Sequence, residues 1–202
     1  MQRFLKALCL LLIVSACENA NDKTVYKPQS SGNINDLSVV IDNQLWESSV
    51  GEAIRSSIGA PLYGLPQDEP QYKLRQIPSS VFSGFVKNTR LVLKVTKGIE
   101  ADTKFYKDPY ASPQRLVLVS GMTNQEIINQ LTTNQDKIER TFKAYEVKEK
   151  QRRFRKSLFN SSAITKQLGI GIQFPSIYRL AKQEDDFFWL RRDIKTGTVN
   201  LL

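Results

Sequence analysis

Apolar residues change their spacing several times along this chain, and each change predicts an element. Leu37–Ile41 is an apolar-rich run of strand length, closed by Asp42-Asn43, either of which can cap a helix. Trp46, Val50, Ala53-Ile54 and Ile58 then recur at helical spacing until Gly59 offers a stop. Pro61, Gly64, Pro66 and Pro70 punctuate a loop; beyond it Gln71–Ile77 predicts a strand, and Pro78-Ser79 opens a short helix bearing Phe82, Phe85 and Val86. Arg90–Thr96 sets Leu91, Leu93 and Val95 against Val92, Lys94 and Thr96, the alternation of a half-buried strand. The stretch 97–113 is loop-like apart from a short edge strand near Phe105. Arg115–Val119 carries the unbroken apolar run Leu116–Val119, which places it centrally in a sheet.

The clearest helix start comes next. Thr123 and Glu126 have the spacing of a capping box, and Met122 and Ile127 that of a hydrophobic staple. Ile127, Leu131, Ile138, Phe142 and Tyr145 mark an apolar stripe, interrupted by Asn134. No Gly or Pro follows until Gly169, which predicts a helix of about 35 residues. A second unit starts near Ser161. There Ile170, Ile172 and Phe174 alternate as in a strand, Tyr178–Ala181 and Phe187–Arg192 predict two more, and Thr196-Gly197 turns into a last strand, Thr198–Leu202. Strands grouped with helices in this order predict an α+β fold, an antiparallel or mixed sheet with packed helices and one long basic helix over residues 37–160, followed by the start of a second, β-rich α+β unit over 161–202. The last strand stops on Val199-Asn200-Leu201-Leu202 with no polar tail, so the second unit is expected to be incomplete.

Ahead of the first strand the pattern has a different meaning. Arg3 and Lys6 precede an apolar run from Ala7 to Val14, then come the small residues Ser15 and Ala16, and then Cys17. That order is a signal peptide over residues 1–16, and its apolar run is far short of the roughly 20 residues that span a bilayer. Val14-Ser15-Ala16-Cys17 resembles the lipobox of bacterial lipoproteins, which implies that Cys17 is diacylated and becomes the amino terminus. The acyl chains would hold the protein to a membrane in the cell envelope, facing the periplasm or the exterior. Residues 17–36, rich in Asn, Ser, Asp, Lys and Gly, are then a lipidated flexible tether.

Composition narrows the chemistry. The chain has 202 residues and a formal charge of +9, or about +7 once Arg3 and Lys6 leave with the signal. It has no histidine, and its two cysteines are Cys9, lost with the signal, and Cys17. Histidine general bases, Ser-His-Asp and Cys-His catalysis, the usual zinc sites, haem ligation and disulfides are thereby excluded from the mature domain. No cofactor or metal is implied, while carboxylate pairs, Ser-Lys dyads and oxygen-ligand metals stay open.

Ile41-Asp42, Trp46, Gly51-Glu52-Ala53-Ile54-Arg55 and above all Gly64-Leu65-Pro66-Gln67-Asp68-Glu69-Pro70 resemble an uncharacterised family of Bacteroidetes-type envelope lipoproteins. Ile77-Pro78, the long helix, Leu168-Gly169-Ile170, Ile172, Pro175, Tyr178 and Phe188-Trp189-Leu190-Arg191 extend the resemblance over nearly the whole mature chain. The resemblance implies no activity, and its members usually continue past the point matching Leu202.

Charge concentrates on the long helix. Lys137–Lys156 holds nine basic and three acidic residues, and Arg152, Arg153, Arg155 and Lys156 form its basic end. The end is a candidate for contact with an anionic surface, lipid headgroups or envelope glycans, although cations at a helix carboxy terminus also suit the macrodipole on a merely solvated face. Nucleic acid is not expected, since no nucleic-acid motif accompanies the charge. Asp68 and Glu69 are candidates for paired carboxylates or calcium, each needing a partner such as Glu52 or Asp42. Ser162 and Lys166 lie one helical turn apart, a spacing far commoner on exposed helices than in active sites. Glu184-Asp185-Asp186 reads as a hairpin turn, and Trp46 and Trp189 as core aromatics. The expectation is a non-enzymatic binding or assembly module; the alternative is a carboxylate-dependent hydrolase of an envelope substrate.

Overall fold

A computed structural model describes residues 26–202. Cys17, the signal peptide and the first part of the tether lie outside the described residues. Among the described residues no helix is long and apolar enough to cross a membrane.

The first unit is a five-stranded mixed sheet of β1 (Asp36–Val40), β2 (Lys73–Ile77), β3 (Leu91–Lys97), β4 (Asp102–Lys107) and β5 (Arg115–Gly121), in the order β2-β1-β3-β5-β4. The pairs β1–β2, β1–β3 and β3–β5 are parallel, and only β4, at the edge, runs antiparallel to its neighbour. Parallel strands require crossovers that cover the sheet, so the inner strands are apolar on both faces. Val92 accordingly joins Val40, Ile77, Phe82 and Leu116 in a cluster beneath the 3-10 turns Ser79–Val81 and Gly84–Asn88, which replace the short helix predicted there. The half-buried reading of β3 is corrected by the same cluster.

The opposite face carries the main core. Leu37, Val39, Leu93, Val95, Val117 and Val119 meet the helices α1 (Asn43–Trp46), α2 (Ser49–Ser56) and α3 (Asn124–Phe154). A single helix over 46–58 was expected, but the chain breaks where the Ser48 hydroxyl accepts from the Val50 amide and starts a new helix. The break is tight: a Cβ on Gly51 would lie 1.9 Å from the Trp46 carbonyl oxygen, so only glycine fits. The capping box of α3 is present in modified form. Thr123 Oγ1 accepts from the Glu126 amide at 3.2 Å, while the Glu126 carboxylate reaches the Met122 amide at 2.8 Å. Met122 stays mostly exposed beside a buried Ile127. The helix runs 31 residues.

The tether predicted over 17–36 is corrected at its carboxy-terminal end. Residues 28–31 bond to the domain backbone, with Ser30 N–H donating to Ser112 and Ser31 N–H to Asn88 while Pro28 and Ser31 accept from Ser112 and Arg90. Sequence composition reads this segment as coil because its bonds are made by backbone, not by apolar side chains. We call residues 27–35 the strap.

The second unit packs α4 (Ser162–Leu168) on a three-stranded antiparallel sheet of β6 (Arg179–Glu184), β7 (Phe187–Ile194) and β8 (Gly197–Leu201). Ile164, Phe174, Phe188 and Leu190 form its core, with Phe159 stacked on Phe174 at 4.7 Å. Three expectations change here. Residues 170–174 are not a strand: Phe174 accepts from the Phe159 amide and Leu158 bridges Pro175, but Pro175 has no N–H to extend a ladder. Those same bonds place residues 157–160, predicted in the first unit, with the second. Trp189 is not a core aromatic, because Phe188 and Leu190 occupy the inward positions of β7 and Trp189 Nε1 instead donates to Asn200.

Candidate functional site

The carboxylates predicted as a pair are not brought together. Asp68 and Glu69 are exposed, and neither side chain has a hydrogen bond or ion pair among the described residues. Their proposed partner Glu52 is engaged by Arg55 at 3.1 Å, and Arg55 also lies over the Trp46 ring at 4.8 Å. Asp42 precedes α1 without a side-chain cap bond. No group of three or more His, Cys, Asp or Glu side chains is placed to hold a metal ion among the described residues. Ser162 and Lys166 sit exposed on α4 with no bond to each other, and Asp185-Asp186 turns β6 into β7.

The basic end of α3 divides into two parts. Glu149, almost fully buried, accepts from Arg152 Nε at 2.7 Å and Nη2 at 2.9 Å, and from Arg153 Nε at 2.7 Å. Hydrogen bonds from Arg152 outweigh burial and, with those from Arg153, hold the Glu149 carboxyl down at about 2. Arg153 Nη2 also donates to the Gly32 carbonyl of the strap at 2.8 Å. One turn earlier, Glu146 pairs with Arg90 at 2.8 Å, both side chains nearly inaccessible, and its other oxygen accepts from the Asn35 amide. Arg90 completes its fork on the carbonyls of Gly32 and Asn33. Gly32 at φ +115°, where a Cβ would be strained, lets its carbonyl meet both arginines. Arg152 and Arg153 are thus committed to Glu149, and Arg153 also to the strap, a clamp in which both side chains stay partly exposed. Arg155 and Lys156 remain exposed, with no ion pair among the described residues.

A better anion site lies further back on the same helix. Lys137, Arg140, Thr141, Ala144, Tyr145 and Lys148 recur at spacings of three and four, so they share one face. With Arg115, the first residue of β5, they line an open groove of about 390 Å³. Thr141 and Ala144 are small, and they leave the concavity that longer side chains would fill. The Arg115 guanidinium lies over the Tyr145 ring at 4.4 Å, and Lys137 Nζ over the Phe105 ring at 4.6 Å. Arg140 Nε donates to the Asp136 carbonyl at 3.1 Å. No carboxylate lines the groove. Burial raises the Tyr145 phenol, Arg115 opposes the rise and the nearby Asp108 carboxylate adds to it; that carboxylate accepts from the Gln114 amide and the Ser112 hydroxyl. Exposed Lys107, the cross-strand partner of Arg115, borders the same corner.

Cations from a helix and a strand around an open, carboxylate-free hollow can hold an oxyanion such as phosphate, sulfate or carboxylate. The signal that points to this face is the periodicity of Lys137, Arg140 and Lys148, which the greater density of arginines near the helix end obscures.

Comparison with known proteins is consistent with this division of the chain. Neither a curated protein nor a solved structure matches it. Residues 157–202 match a family model described as a domain of unknown function (DUF4837). Residues 30–155, from the strap to the end of α3, match another domain of unknown function (DUF8532), and with more than half of the chain covered, the protein belongs to that family.

Proposed function

We propose that this protein is a membrane-tethered envelope lipoprotein, acylated on Cys17 as in the Bacteroidetes-type lipoproteins it resembles, whose domain is a non-enzymatic binding or assembly module. The strap is the observation that carries the reading. It continues the folded domain to Lys27, whose ammonium meets the Asp108 carbonyl, so Cys17 lies ten positions from a fixed point on the domain. Ten residues reach at most roughly 35 Å. The domain is thus held beside the membrane with one corner toward it. The groove at that corner has cations to hold an anion and no carboxylate to act as a base, which favours binding over hydrolysis.

Metabolic labelling with an alkyne fatty acid tests the anchor. Wild-type protein is expected to take up label and sediment with membranes, and Cys17→Ala to do neither. Equal label in Cys17→Ala overturns the reading.

A further inference from the structure

We infer that the groove between β5 and α3 is a headgroup site that takes the phosphate of an anionic phospholipid in the membrane to which the chain is tethered. The inference rests on the tether proposed above and adds the ligand and its place. Three observations converge on it.

The charge is uncompensated where it matters. Arg115, Lys137, Arg140 and Lys148 make no ion pair among the described residues, whereas Arg90 is paired with Glu146, and Arg152 and Arg153 share Glu149. The +6 excess of the 137–156 stretch is therefore presented at the groove and along the outer helix face, not at the clamp.

The cations are also held in place. Arg115 Nε is buried without a partner, and its guanidinium lies over the Tyr145 ring; Lys137 Nζ lies over Phe105. Rings under the cations leave their outward N–H groups for a ligand, a preorganised arrangement that suits a phosphate monoanion.

The groove and the start of the strap share a corner, which selects a lipid over a soluble anion. Lys27 is held at Asp108, Asp108 follows Lys107, and Lys107 pairs across the sheet with Arg115. The chain toward Cys17 leaves the domain next to the groove. A short tether raises the local concentration of headgroups at this corner above that of any ligand free in solution.

The experiment uses the full lipidated protein reconstituted in vesicles of phosphatidylcholine alone or with phosphatidylglycerol. A water-soluble acetylating reagent labels lysines, and mass spectrometry reads the rate at each. Lys137 and Lys148 are expected to label several-fold more slowly with phosphatidylglycerol, while Lys195 on the β7–β8 turn of the second unit is unchanged. Arg140→Gln, at an exposed position, should weaken that protection roughly fivefold. Equal labelling of Lys137 and Lys148 in both vesicles overturns the site, as does protection of Lys156 in their place. Equal protection by inorganic phosphate or by a soluble sulfated glycan, with phosphatidylcholine vesicles present, overturns the lipid assignment. Flotation reads the tether separately: protein that floats with both vesicles yet labels equally refutes the groove alone. If the protein floats with neither, the tether fails, and monomeric short-chain phosphatidylglycerol then tests the groove by the same labelling.

Discussion

At the scale of single residues, two glutamates decide more than any candidate carboxylate. Glu146 and Glu149 extend the stripe of Ile127, Leu131, Ile138 and Phe142, so α3 continues to bury that face after its apolar side chains run out. A carboxylate on a core stripe demands a buried cation, and although the stripe was read only as far as Tyr145, the spacing that carries it on to Glu146 and Glu149 was legible in the sequence. That the cation is Arg90, 56 residues away, was not, because nothing local marks it. Arg90→Met leaves Glu146 buried without its partner and is expected to cost about 3–5 kcal/mol in urea unfolding; adding Glu146→Leu should recover much of that. Glu149 has a proton-linked consequence. Its carboxyl sits at about 2 rather than at its ordinary 4.5, so its contribution to stability is complete above about pH 4.5 and fades as pH falls toward 2. Glu149→Gln should flatten the decline of Tm over that interval, and an unchanged acid limb would mean that the arginine contacts do not persist in solution.

Among the elements, legibility followed sequence locality. The capping box of α3, the edge position of β4 and the β6–β7 turn are set by residues within a few positions of one another, and they appear where expected. Thr123→Ala should therefore cost about 1 kcal/mol, measurable by thermal unfolding. The break between α1 and α2 was missed because helical periodicity persists across it. Trp46, Val50 and Ile54 keep their phase while Ser48 restarts the helix. Gly51→Ala pushes a methyl into the Trp46 carbonyl and is expected to cost about 1–3 kcal/mol, with a shift in tryptophan emission as the ring loses its contact with Arg55. The parallel pairing of β1, β2, β3 and β5 was also out of reach. Apolar spacing identifies a strand and its buried faces but not the direction of its neighbour, so the helix expected between β1 and β2 did not by itself reveal that these strands pair in parallel. The failed strand at 170–174 has the same root: alternation of Ile170, Ile172 and Phe174 gives a face without supplying a partner strand.

Over the whole molecule, the candidate surface was legible in kind but not in place. Charge density pointed to Arg152, Arg153, Arg155 and Lys156, and only the fold shows that the first two are paired with Glu149 while the hollow lies toward Arg115. The clamp and the groove are then separable. Arg153→Ala removes one of the two arginines on the Gly32 carbonyl and leaves Arg90, so hydrogen exchange at residues 28–35 should rise while the global Tm changes little. Unchanged exchange in that segment would show that Arg90 alone secures the strap.

The span of the clamp also sets an order of assembly. Asn35 meets Glu146 across 111 positions and Gly32 meets Arg153 across 121, so the strap is completed by partners made more than a hundred residues later. A chain growing from its amino terminus cannot fasten that segment until nearly all of the long helix has emerged. Within the first unit the strap is thus among the last parts to close, once α3 is finished.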